Sequence, residues 1–262
     1  MVVFSKKYRF VLLAFLVPFL FRAIPEVLMG SYIVGFDSMA HYVPTSLIWL
    51  NEGVRLGNFI ATAPLFYSIV TCLSCIGVPL LLVLKILPLL LSGLLGLSIF
   101  EYAKLGLNWS DKKSLLPALI GTIYFVALRI SWDLLREQLA LIFLFNVLTL
   151  LALNRKRSFS WRRWGLVIFS MSAVVLSNQL VAIVMFAIVG FSFLYQLFYE
   201  KCLNRCLLLF SLPAAILFFA VFLFSPAVSE YRLIFGFDLS NDGWLALFGY
   251  SGYPALLVNT VG

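Results

Sequence analysis

The chain's one histidine follows an aspartate by four residues in a polar stretch, Gly30-Ser-Tyr-Ile-Val-Gly-Phe-Asp37-Ser38-Met-Ala-His41-Tyr42. Residues four apart share one face of a helix, so Asp37 and His41 would lie side by side. Such a pair can bind a divalent metal ion or share a proton. The alternative is structural, with Asp37 capping a helix and His41 on a wet surface. No third metal ligand is visible, and Ser38 lacks the nucleophile-elbow sequence of a hydrolase.

A second polar stretch lies about a hundred residues later, Arg129-Ile-Ser-Trp-Asp133-Leu-Leu-Arg136-Glu137-Gln138. Its arginines could meet a phosphate, because a guanidinium forms paired hydrogen bonds with such groups. Its alternative is also structural, since Asp133 can pair with Arg136 or Glu137 at helical spacing and hold a turn. Near the carboxyl end, Glu230-Tyr-Arg232 is polar and aromatic enough to bind sugar, and is equally an ordinary loop.

The segments that must position these residues are strongly apolar. Hydrophobic residues make up 63% of the 262 positions and charged residues 11%, against about 25% charged in soluble domains. Apolar runs recur along the chain, and only helices or closed barrels satisfy backbone hydrogen bonds in lipid. We therefore expect an all-α, polytopic transmembrane helix bundle over residues 1–225. Residues 226–262 are expected to form an outer loop and the possible start of a further helix.

About seven spans are predicted, with interfacial helices in the first outer loop. The stretch Asn58–Gly77 is apolar enough to be an eighth span, and its crossing would invert every later loop. The predicted spans are Phe10–Leu28, Val78–Phe100, Ser114–Leu128, Leu134–Leu153, Trp164–Ser177, Leu180–Tyr199 and Cys206–Phe224.

Basic residues decide between the two arrangements, because short cytoplasmic loops are enriched in Lys and Arg. If Asn58–Gly77 does not cross, most of the 19 basic residues lie on the side of the amino terminus; if it crosses, only a minority do. We therefore predict a multi-pass protein of the plasma membrane with a cytoplasmic amino terminus and no nucleic-acid partner. Phe10–Leu28 is expected to be an uncleaved first helix.

Three further features have structural explanations as well as functional ones. The cysteine pairs Cys72 with Cys75 and Cys202 with Cys206 are expected to be ordinary helix residues. Lys85, near the outer end of its apolar run, can extend to the interface or meet a phosphate. Ser177-Asn178-Gln179 interrupts an apolar run and predicts a turn or a buried interhelical hydrogen bond.

In its arrangement the chain resembles the GT-C membrane glycosyltransferases, especially protein mannosyltransferase-like and archaeal oligosaccharyltransferase-related members. Those proteins have a first helix running outward, a long outer loop with an acidic motif and interfacial helices, and then a Pro-Leu-Phe-Tyr-like stretch. Asp37 and Pro64-Leu-Phe-Tyr67 match in order and approximate distance, and a second polar motif after the third span corresponds to residues 129–138. The resemblance covers most of residues 1–225.

The chain also departs from that family. Many mannosyltransferase-like members have an acidic pair in the first loop, whereas here Ser38 follows Asp37, which puts the second carboxylate in doubt. The Trp-Trp-Asp motif of oligosaccharyltransferases and a carboxy-terminal soluble domain are absent from this sequence. The chain stops soon after a polar outer segment, which leaves open that it is an amino-terminal fragment.

The resemblance implies transfer of a sugar from a polyprenyl-phosphate-linked donor to an acceptor on the outer face. Asp37 would be the general base, or with His41 would bind a divalent metal ion. Substrate binding would fall to His41, Asp133, Arg136 and Arg232, with Arg136 at the carrier phosphate and Arg129 or Arg232 as further candidates. A membrane transporter and a noncatalytic membrane scaffold are the alternatives. A transporter should carry ionisable residues in mid-helix, and few are present.

Overall fold

The structure is a computed structural model that describes residues 6–53, 59, 64–156, 160–200 and 205–224, and every regular element in these ranges is helical. This confirms the all-α prediction for the described part of the chain. Three π-helical turns, Ser38–Tyr42, Tyr102–Gly106 and Gln196–Glu200, accompany the α-helices. The α-helices are α1 Lys6–Leu28, α2 Val43–Asn51, α3 Pro64–Cys75, α4 Leu80–Glu101, α5 Asp111–Ile123, α6 Phe125–Asp133, α7 Leu135–Lys156, α8 Trp161–Ser177, α9 Gln179–Tyr195 and α10 Arg205–Phe224.

Four helical stretches are long and apolar enough to cross a membrane: Tyr8–Leu28, Leu80–Gly106, Leu135–Asn154 and Gln179–Tyr199. A crossing needs roughly 20 helical residues, and these stretches have 20 to 27. Shorter apolar helices lie at Pro64–Cys75 and Cys206–Val221. A membrane protein with transmembrane helices is therefore supported for the described residues, and four of the seven predicted spans meet this criterion.

Helices α1 and α4 are closely packed and antiparallel. A Cβ atom at Gly96 of α4 would clash with the Ala14 carbonyl oxygen of α1 and would lie 2.8 Å from Pro18 Cγ. At the other end of the pair, Lys85 Nζ donates to the Gly30 carbonyl oxygen just after α1. Residues 29–79 therefore leave and re-enter the bundle at one end, which we call the first-loop end. The Lys85 ammonium group therefore hydrogen-bonds a backbone carbonyl oxygen.

The later helices also reverse direction in turn. Helix α7 runs alongside α4, since Gln138 Nε2 donates to Ser92 Oγ at 3.0 Å. Helix α8 returns, because Asn178 after it donates to Glu137 Oε1 near the start of α7. Helix α10 begins beside the start of α8, where the rings of Phe210 and Trp164 stack with centroids 4.8 Å apart. The first-loop end thus gathers the start of α7 and the α8–α9 junction.

The predicted span Ser114–Leu128 is wrong as a single helix. The chain forms α5 and α6 instead, with Tyr124 between them in an extended conformation at ψ 141°. Glycine and β-branched residues are poorer helix formers than leucine or alanine, and Gly121-Thr-Ile123 precedes the break. A second break at Leu134 separates α6 from α7. The two breaks make Phe125–Asp133 a separate short helix whose end lies at the candidate site.

The polar stretch of the first loop rests on a hydrophobic core. Tyr42, Trp49, Phe66 and Tyr67 from the π-helical turn, α2 and α3 are buried there against the helices of the bundle. The rings of Tyr42 and Phe66 lie 4.9 Å apart between centroids. Helix α3 has 12 residues, fewer than a crossing requires. Packing against this core fixes the position of the residues that the sequence analysis singled out.

Candidate functional site

The first loop is attached to the α6–α7 junction by a small set of hydrogen bonds around Asp133. Phe36 N donates to Asp133 Oδ1 at 2.8 Å, and Tyr42 Oη donates to the Asp133 carbonyl oxygen at 2.9 Å. The same tyrosine oxygen accepts from Leu135 N at 3.1 Å. Tyr42 therefore satisfies backbone groups that the break at Leu134 leaves outside a helix. Asp133 joins two segments almost a hundred residues apart, so its described contacts are those of an anchor.

Gly35 permits this close attachment. Its φ is +102°, a conformation that side chains rarely adopt. A Cβ atom there would clash with the Trp132 carbonyl oxygen and would lie 3.0 Å from Asp133 Oδ1. Gly35 therefore lies directly against the end of α6. A larger residue would fit there only if neighbouring atoms moved.

Asp37 lies in this attached segment, half-buried, at the start of the π-helical turn. Its side chain makes no capping hydrogen bond with that turn, so the capping explanation finds no support. Burial raises the pKa of the Asp37 carboxyl above its ordinary value of 3.8, and Asp133 adds to that effect, whereas His41 and Arg136 oppose it. The structure therefore brings Asp37 within electrostatic reach of His41, Asp133 and Arg136. An aspartate with a raised pKa is a better proton acceptor than a fully hydrated one.

Arg136 lies beside two buried tyrosines at the start of α7. Its side chain interacts with the Tyr42 hydroxyl and with the charge of Glu137. The rings of Tyr42 and Tyr67 lie 6.1 Å apart between centroids. Burial raises the pKa of both tyrosines, so their hydroxyls stay protonated at neutral pH. The arrangement places one cation and two neutral hydroxyls next to the half-buried carboxylate of Asp37.

Glu137 and Asn178 close the cluster on the side of α8 and α9. Asn178 Nδ2 donates to Glu137 Oε1 at 2.8 Å, and Asn178 Oδ1 accepts from Val181 N at 3.0 Å. The predicted interhelical hydrogen bond of Asn178 is thus confirmed, and the same side chain also caps α9. The charge of Glu137 acts on Arg136 and on both tyrosines, and the charge of Asp37 acts on Glu137. Glu137 is therefore a second acidic residue of the cluster.

Asp37 and His41 are the two candidate ligands of the predicted metal site. Among the described residues there is no group of three or more His, Cys, Asp or Glu side chains arranged to hold a metal ion. Asp37 and His41 remain a pair on one turn. Arg232 lies outside the described residues, and so does the side chain of Arg129. Cys72 and Cys75 are free and exposed, as expected of ordinary helix residues.

Taken with the fold, this cluster defines a protein whose described residues form only helices, some of them able to cross a membrane, with a partly buried acidic, basic and phenolic site at one end of the bundle. No protein-family model, curated protein or solved structure matches this chain.

Proposed function

We propose that the protein is a membrane glycosyltransferase that moves a sugar from a polyprenyl-phosphate-linked donor to an acceptor on the outer face of the membrane. One observation carries the proposal: Asp37 of the first loop and Arg136 of α7 lie in one partly buried cluster at one end of an apolar helix bundle. A lipid-linked donor would reach such a cluster from the bilayer, and an acceptor would reach it from water.

The proposed reaction assigns one role to each charged group. Asp37 takes the proton from the nucleophilic group of the acceptor as that group forms a bond to the anomeric carbon of the sugar. The bond between that carbon and the carrier phosphate breaks, and the phosphate leaves with the electron pair. Arg136 stabilises the negative charge on the departing phosphate, because a partly buried guanidinium binds phosphate strongly. The Tyr42 and Tyr67 hydroxyls stay neutral next to this charge.

The proposal includes a definite arrangement in the membrane. Seven passes are formed by α1, α4, α5 with α6, α7, α8, α9 and α10, and the first-loop end faces outward. Support comes from the reversals of helix direction and from the segregation of charge, because Lys104 lies at the opposite end with its partner Asp111, as do Lys112 and Lys113 beside that partner. Basic residues in short loops mark the cytoplasmic side.

Cysteine labelling in intact cells tests this arrangement. In a background without the four native cysteines, Tyr32→Cys and Ile76→Cys are expected to react with an impermeant thiol reagent, because these side chains are 73% and 79% exposed at the first-loop end. Lys112→Cys is expected to react only after permeabilisation. If Tyr32→Cys and Ile76→Cys differ in labelling, residues 58–77 cross the membrane and the proposed arrangement is wrong.

The function itself is tested with the purified chain in liposomes that contain polyprenyl-phosphate-linked sugars and candidate acceptors. Transfer is expected to fall as the pH is lowered, through an apparent pKa above the ordinary 3.8 of aspartate, because only ionised Asp37 accepts a proton. Chelation with EDTA in the same assay tests a divalent metal ion on Asp37 and His41. A transporter or a scaffold would release no polyprenyl phosphate under any of these conditions.

Two substitutions sharpen the pH test because they should act in opposite directions. His41 lowers the pKa of Asp37, so His41→Gln is expected to move the acid limb of the profile to higher pH. Asp133 raises that pKa, so Asp133→Asn is expected to move the limb to lower pH. The introduced asparagine keeps a side-chain oxygen that can accept the hydrogen bond from Phe36 N. If the acid limb of the pH profile stays in place in both variants, a group other than Asp37 is responsible for the titration.

A further inference from the structure

A cavity of about 840 Å³ lies at the opposite end of the bundle from the candidate site. Leu148 and Leu151 of α7 and Ile188 and Phe191 of α9 supply apolar parts of its wall. Ligand-binding cavities in proteins have volumes of roughly 300–1,000 Å³ and mostly apolar walls. The volume and the lining therefore suit a largely hydrocarbon ligand.

The fold explains why this space is open. Helices α7 and α9 meet at the first-loop end, where Asn178 contacts Glu137, and the cavity lies between them at the other end. Gly106 and Ala152 line it with little side-chain volume. The Trp164 ring, which also lines it, is stacked on Phe210, so it forms a wall and does not fill the space.

Asn154 indicates which polar chemistry the ligand carries. Asn154 lines the cavity near the end of α7, and the Nδ2 and Oδ1 atoms of its side chain are buried with no hydrogen-bond partner in the described part of the chain. A buried amide without partners is unfavourable. A ligand that offers one acceptor and one donor at this depth would satisfy both atoms.

Two of the aromatic residues that line the cavity are exposed. Phe191 is 72% exposed and Tyr195 is 51% exposed, and both line it. Tyrosine side chains such as that of Tyr195 are common where a membrane meets water. Arg163 Nη1 donates at 3.4 Å to the carbonyl oxygen of Leu153, so a guanidinium contacts the residue that precedes Asn154 in the chain.

We propose that this cavity binds one acyl chain of an anionic glycerophospholipid with a hydroxylated headgroup, drawn from the leaflet at that end. The chain packs along Leu148, Leu151 and Ile188. Asn154 donates to an ester carbonyl of the lipid and accepts from a headgroup hydroxyl, and Arg163 is near the phosphate. The site is independent of the proposed sugar transfer, because none of the candidate site residues lines it.

Photocrosslinking in nanodiscs tests the proposal with phosphatidylglycerol that carries a diazirine in one acyl chain. Labelling is expected to concentrate on residues 148–154 and 188–192. Ile188→Trp should reduce that labelling severalfold, because a larger side chain occupies the space. The matched control is Leu209→Trp, at a position on α10 that is 59% exposed and does not line the cavity; it should leave labelling unchanged.

A second variant separates lipid binding from misfolding caused by the larger side chain. Asn154→Leu keeps the approximate volume but removes both hydrogen-bonding groups, so it should reduce labelling by the phosphatidylglycerol probe more than by a phosphatidylcholine probe. Labelling spread evenly over exposed helix faces, or unchanged in Ile188→Trp, would overturn the proposal. So would failure of both probes to label the wild-type cavity, which would mean that another part of the chain or a nonlipid ligand fills it.

Discussion

Replacing Asp37 by asparagine is expected to lower sugar transfer in the liposome assay by about 10²–10⁴-fold, the usual contribution of a general base. Asparagine has almost the same shape, so the first loop should stay attached through Phe36, Tyr42 and Asp133. It cannot accept a proton from the acceptor. Binding of the lipid-linked donor is therefore expected to persist, and the loss should appear in turnover at saturating donor.

Asp111→Asn is the matched control, because it makes the same chemical change at the opposite end of the bundle. Asp111 Oδ1 lies 2.6 Å from Lys104 Nζ, and its side chain is 32% exposed. Exposed ion pairs contribute at most about 1 kcal/mol to stability, so this variant should fold and retain transfer. Equal activity of Asp37→Asn and Asp111→Asn would remove Asp37 from the mechanism.

Sequence patterns singled out Asp37 and Arg136 as candidates, because both lie in polar stretches that interrupt apolar runs. The prediction that the two lie on the same side depended on one inference, that Asn58–Gly77 does not cross the membrane. Charge bias in the short loops favoured that arrangement. In the structure, the antiparallel contact of α1 with α4 brings the two polar stretches to the same end of the bundle.

Contacts between distant segments could not be predicted in the same way. Tyr42 and Tyr67 look like ordinary interfacial aromatics in sequence, yet both are buried next to Arg136. The attachment of Phe36 to Asp133 requires the positive φ of Gly35, and a lone glycine in a polar loop does not reveal its partner. Helix breaks at Tyr124 and Leu134 have weak local signals, because neither position carries a proline or glycine.

Arg22 and Glu26 lie inside the first apolar run, and the sequence did not predict that they form a buried pair. Arg22 is 1% exposed and Glu26 is 7% exposed, and Arg22 Nη2 lies 2.9 Å from Glu26 Oε1. Arg22 Nε also donates to the Ser131 carbonyl oxygen at 3.2 Å. Because Ser131 lies two residues before Asp133, the buried pair connects α1 to the anchor of the candidate site.

Arg22→Ala is expected to destabilise the fold by about 3–5 kcal/mol, because it leaves Glu26 as an unpaired buried charge. The effect would be measured as the free energy of unfolding in mixed micelles. Arg9→Ala is the control on the same helix. Because Arg9 is exposed, this substitution should change the free energy of unfolding by no more than about 0.5 kcal/mol. A similarly small change for Arg22→Ala would mean that Glu26 is neutral when buried or gains water.

The double variant Arg22→Met with Glu26→Leu separates the ion pair from the hydrogen bond to Ser131. Replacing both charges by apolar groups often restores stability, so most of the free energy lost in Arg22→Ala should return. The bond from Arg22 Nε to Ser131 would still be missing, and the α6–α7 junction would be held less firmly. Transfer should therefore stay reduced although the fold recovers. Recovery of both would show that the pair stabilises the bundle without positioning Asp133.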